Sequence, residues 1–179
     1  MEIDRRCVGQ SERLLEDIVK GKDMARIAQA IRKGIQFRKM PYSKKKGSAY
    51  HWTYVLRAED EAKRNKIAEG MEKAVKCGKI KYSNTKEKNA ALYDAVKKYG
   101  FDCSKLKKTT TTNCCNLASV ACNYAGIKTP RKNNSRTLPA KWKPYGFKVI
   151  KYKPKKTKLK RGDILVATQK PHVHTAVYL

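Results

Sequence analysis

Apolar residues recur at helical spacing over four stretches of the chain and in short alternating or continuous runs over four others. Over 11–33, Leu14, Leu15, Ile18, Ala25, Ile27, Ala28 and Ile31 share a helical face, with Ser11 a candidate N-cap and Gly21 a candidate break. A second helix is predicted over 59–77, with Ile67, Met71, Ala74 and Val75 inward. A third is predicted over 85–99, with Ala91, Leu92, Ala95, Val96 and Tyr99 inward and Gly100 ending it. After a Thr-rich stretch at 109–112, the segment NCCNLASVACNYAG predicts a fourth, with Leu117, Val120, Ala121 and Tyr124 on its face and Gly126 as its stop.

Strands are predicted at 50–57 (YHWTYVLR), 146–152 (GFKVIKY), 163–167 (DILVA) and 173–179 (VHTAVYL). Basic loops at 38–48 and 153–161 separate elements, as does a loop around Pro130, and no internal repeat is present. Helices come mainly before strands, which predicts an α+β fold. Three clear late strands make a thin sheet, which 50–57 would complete. Tyr50, His51, Trp52 and Tyr54 read as a packed edge strand, or as a platform for stacking sugars or bases. Asp163 reads as a turn residue ordering the last strand pair.

Charge narrows the choice of partners. The 179 residues carry 43 Lys and Arg against 15 Asp and Glu, a formal net charge of +28. The excess grows along the chain: residues 101–179 hold 18 basic side chains and only two acids, Asp102 and Asp163. Such a field draws a protein to polyanions: nucleic acid, an anionic lipid surface or the phosphate-rich polymers of a bacterial wall. With 40% hydrophobic residues, most of the chain is expected to fold, as one domain or as one with an appendage. No apolar run approaches the roughly 18 residues of a spanning helix. The first 30 residues lack the continuous apolar stretch of a secretory signal, so synthesis in the cytoplasm, or prior removal of a leader, is expected.

Cysteines stand at 7, 77, 103, 114, 115 and 122. No CxxC pair exists, and no histidine lies at zinc-finger spacing from a cysteine pair, so neither a structural metal nor a cofactor is expected. Cys114 falls at the predicted start of a helix. Unpaired first-turn N–H groups and the positive end of the macrodipole stabilise a thiolate there, and the cationic surroundings push the same way. Of three histidines, His172 and His174 lie on the last predicted strand. A nucleophile at a helix start facing a base on an antiparallel strand is a papain-like arrangement.

At these residues the chain resembles a known family. Residues 113–130, NCCNLASVACNYAGIKTP, resemble the nucleophile segment of NlpC-type cysteine peptidases, and residues 161–179, RGDILVATQKPHVHTAVYL, resemble the family's Gly-Asp and His strand pair. Residues 79–106 look like the helical lead-in of phage and prophage wall hydrolases in that superfamily. The resemblance implies a papain-like half-barrel over 50–179, with its core at 79–179, and leaves 1–49 as a basic helical region of unassigned role. It matches Cys114 to the nucleophile and His174 to the base, makes Tyr82 the oxyanion candidate, and leaves Asn113 and His172 as candidates for substrate contact. The implied reaction is hydrolysis of an amide bond in peptidoglycan, by an endopeptidase or an N-acetylmuramoyl-L-alanine amidase, through a thioester. Action at the wall after release or phage delivery follows from the same resemblance, with anionic wall polymers as charge partners.

The chain departs from the family's pattern in three places. Asn113 replaces an Asp, and Cys115 and Asn116 replace small residues after the nucleophile. The family also places a third polar residue on the strand after the base, where it orients the imidazole. Leu179 is five positions past His174, so either another side chain takes that role or the chain continues. The competing reading is a basic nucleic-acid-binding protein on a catalytically inactive papain-like fold.

Overall fold

A computed structural model describes residues 25–39, 52–170 and 173–179. Its strands are β1 (Arg26–Ile31), β2 (Gly34–Lys39), β3 (Tyr54–Ala58), β4 (Ile80–Tyr82), β5 (Thr110–Thr112), β6 (Phe147–Lys151), β7 (Ile164–Ala167) and β8 (His174–Tyr178). Its α-helices are α1 (Glu61–Lys76), α2 (Ala91–Lys97), α3 (Cys114–Tyr124) and α4 (Leu138–Trp142). Six strands form one sheet in the order β2-β1-β8-β7-β3-β6, with every neighbouring pair antiparallel. The fold is α+β, a helix starting at Cys114 packed on an antiparallel sheet, and it is compatible with a papain-like half-barrel.

Both faces of the sheet are covered. Along β7, Ile164 and Val166 join the main core with α1 and α3, while Leu165 and Ala167 join a second cluster with Ile27, Trp52, Val55 and Ala176. This alternation is the period of a strand. The main core contains fully buried Leu117, Ile67, Met71 and Trp142, and each aliphatic side chain taken from water in this way stabilises the fold by about 1.5–3 kcal/mol.

The helix predicted over 11–33 is corrected by the structure from residue 26 onward, its earlier part lying outside the described residues. Residues 26–39 form a hairpin, β1 and β2, joined by Arg32 and Lys33, with Gly34 at φ 113°. The run Ile27-Ala28-Gln29-Ala30 is buried on both faces, so it lacks the alternation of a half-buried strand and suits a helix equally well. Pairing with β8 places β1 inside the six-stranded sheet.

Helix α1 starts where Asp60 accepts a hydrogen bond from Lys63 N–H. Helix α2 is shorter than the predicted 85–99. Ahead of it, the Asn89 carbonyl accepts from Asn113 N–H at 3.0 Å and Asn116 Nδ2 at 2.8 Å, so it holds the start of α3 rather than extending α2. The short parallel pair β4–β5 and helix α4 were not among the predicted elements. Asp163 is fully buried, accepts both oxygens' bonds from Arg57 at 2.8 and 2.6 Å, and takes Lys160 N–H, which pins the turn before β7.

Candidate active site

Cys114 is the first residue of α3. Asn113 precedes it in extended backbone, and its Oδ1 accepts Asn116 N–H at 3.0 Å. That N-cap satisfies one first-turn donor and leaves the Cys114 amide at the positive helix end. Residues 114–122 are all buried. The helix therefore cannot rotate without exposing core, and the direction of the Cys114 side chain is set by packing.

His174 is the first residue of β8 and only 4% exposed. Its imidazole is near enough to the Cys114 thiol to help hold that thiol's pKa down. Nε2 of the ring lies 2.8 Å from Gln29 Oε1, and Gln29 is fully buried. The register explains the contact. Gln29 pairs with Ala176 across β1 and β8. Alternation puts Gln29 on the face of Ile27, and His174 on the face of Ala176, so the two side chains meet. An amide oxygen only accepts, so Nε2 carries the proton and Nδ1 is left as the basic nitrogen. Trp52 stacks obliquely on the same ring, with centroids 5.9 Å apart.

Three groups act on the thiol of Cys114. A hydrogen bond from Cys115 lowers its pKa most, burial opposes that, and His174 and Ser135 lower it further; the net effect holds the thiol well below its ordinary range. Cys115 moves the other way, pushed up by its bond to Cys114 and by burial. The pair thus favours one proton shared between two sulfurs, with Cys114 the ionised partner. Ser135 Oγ lies 3.7 Å from Cys114 Sγ. All five described cysteines are free thiols.

The other predicted residues are placed as follows. Tyr82, on β4, is in register with Thr112 of β5, two positions before Cys114, and its side chain packs on the main core. Asn113 is the helix cap, its oxygen also accepting from Cys115 Sγ at 3.4 Å. His172 lies outside the described residues. Among the described residues no cluster of three or more His, Cys, Asp or Glu is placed to hold a metal ion.

Sequence reasoning missed Gln29 and Ser135. A lone polar residue inside the apolar run of RIAQAI is a signal for Gln29; nothing local marks Ser135.

The endolysin-like domain family model matches residues 32–179. The chain belongs to the endolysin-like domain family. No curated protein and no solved structure matches it. The part matched to the endolysin-like domain takes in Tyr82, Cys114, Ser135 and His174, while Gln29 stands on the strand just ahead of it.

Proposed function

We propose that this endolysin-like domain is a peptidoglycan hydrolase of the NlpC type that cleaves an amide bond of the stem peptide, in a phage or prophage lytic role. One observation supports the reading: Cys114 opens a buried helix start, and His174, whose charge and hydrogen bonding help to depress its thiol's pKa, is itself bonded through Nε2 to the buried Gln29 amide oxygen. Family membership supports a wall-lytic role, and the net charge of +28 supports retention on anionic wall polymers.

In this reading the Cys114 thiolate attacks the amide carbon, forming a C–S bond. The C–N bond then breaks as His174 gives to the leaving amine the proton that its Nδ1 took from the Cys114 thiol. Water attacks the thioester while His174 takes one of its protons, and the C–S bond breaks to restore the thiolate and release the acid. The Cys114 N–H at the helix end supports the oxyanion, with Tyr82 the proposed second donor. Asn113, beside the nucleophile, and His172, two positions before the base, are the candidates for substrate contact.

Digestion of purified, acid-stripped wall tests the proposal. The wild-type chain is expected to release soluble fragments, whose masses separate an endopeptidase from an amidase. Cys114→Ala is expected to lose activity by at least about 10³-fold. Equal release by wild type and Cys114→Ala would sink the cysteine mechanism.

A further inference from the structure

Ser135 sits in the connection between α3 and α4, only 3% exposed, and nothing in the hydrolase reading uses it. Its Oγ is 3.7 Å from Cys114 Sγ and 2.7 Å from Thr175 Oγ1. Thr175 is fully buried and follows His174 directly on β8. Successive strand residues point to opposite faces. Strand β8 therefore reaches the nucleophile twice, through the imidazole of His174 and, from its other face, through the hydroxyl pair.

The connection does not depend on Ser135 for its position. Asn133 N–H donates to Asn116 Oδ1 at 2.8 Å, Asn133 Nδ2 donates to the Pro130 carbonyl at 2.7 Å, and Trp142 Nε1 donates to Asn133 Oδ1 at 2.9 Å. Ser119 donates to the Pro130 carbonyl at 2.7 Å as well. The Ser135 hydroxyl is thus delivered to the sulfur by a segment already tied to α3.

Each hydroxyl of the pair has one proton and can accept as well. A thiolate only accepts. When Cys114 is ionised, the satisfied arrangement runs in one direction: Thr175 donates to Ser135, and Ser135 donates to sulfur. We propose that Ser135 is a positioning residue for the nucleophile, its proton directed onto the Cys114 thiolate by Thr175, so that the hydroxyl pair raises the thiolate fraction and aims the sulfur. The proposal rests on the reading of Cys114 as the nucleophile.

The test is the pH dependence of Cys114 alkylation by iodoacetamide in the full chain, read by fragmentation mass spectrometry to separate Cys114 from Cys115. Ser135→Ala is expected to move the midpoint upward by roughly one pH unit. Thr175→Val, which keeps the shape and removes the hydroxyl, moves it less but in the same direction, and Thr175→Ser restores the wild-type value. On wall substrate, Ser135→Ala lowers kcat with little change in KM. A wild-type midpoint in Ser135→Ala overturns the proposal. Should that variant fail to fold, equal midpoints for Thr175→Val and Thr175→Ser overturn it. The hydrolase reading fails separately, on wall digestion with Cys114→Ala.

Discussion

Cys115 has one thiol proton and three acceptors around it. Asn133 O lies at 3.1 Å, Asn113 Oδ1 at 3.4 Å, and the Cys114 sulfur also accepts from it. Once Cys114 ionises, the charged acceptor is the strongest of the three. Cys115→Ala removes that donor, so the Cys114 pKa rises and fewer molecules carry the thiolate at a given pH below it. The rising limb of the activity–pH profile is therefore expected to move upward, while Cys115→Ser, which keeps a donor, leaves it nearer the wild-type position. An unmoved limb in Cys115→Ala would show that the second thiol does not tune the first. Gln29→Leu tests the other side of the site. It frees the imidazole to rotate and to take the wrong tautomer, and kcat is expected to fall roughly 10- to 100-fold, less than the loss seen for a charged partner, with KM little changed. Cys114 and His174 could be picked out of the sequence as candidates because their motifs are local. Gln29 was not, since its role exists only through the pairing of β1 with β8.

Helices α1 and α3 were legible because apolar residues recur at the helical period along both, and Gly126 marks the end of α3. Strand β1 was not, because burial on both faces erases the alternation that marks a strand. Strands β4 and β5 have three residues each, and α4 has five, too few to carry a period. These short elements nevertheless set the site, since β5 delivers the chain into Asn113. The turn before β7 shows how tightly such connections are built. Gly162 has φ 82°, and a Cβ added there would lie 2.0 Å from the carbonyl oxygen of the Arg64 residue in α1. Gly162→Ala is expected to cost about 2–4 kcal/mol, from backbone strain and the shift of α1, and to lower the melting temperature measurably. A melting temperature equal to wild type would mean that α1 yields freely at this contact.

At the scale of the whole molecule, residues 103–162 carry no acid, and among the described ion pairs two, Arg131–Asp94 and Arg161–Glu72, draw a cation from this stretch. Among the described ion pairs, Arg57–Asp163 is the one with a fully buried carboxylate, and it pins a turn. Binding of the chain to intact walls is expected to weaken steeply as salt rises, and to weaken further when phosphate-bearing polymers are stripped, while cleavage of the stripped wall persists. Salt-independent sedimentation with walls would remove charge from the account of retention. If nucleic acid competes the chain off walls at equal phosphate, the field selects for charge alone.

Gln29 and His174 are 145 positions apart, and the pairing of β1 with β8 joins them. Contacts of that separation close late in folding. Before they close, Cys114 has no imidazole beside it and behaves as an ordinary thiol. A refolding chain would therefore acquire its fast-reacting cysteine in step with the docking of β8, and the moment of that change would time the closure of the sheet. In the proposed hydrolase reading, a chain stalled short of it would carry a cysteine not yet activated for attack.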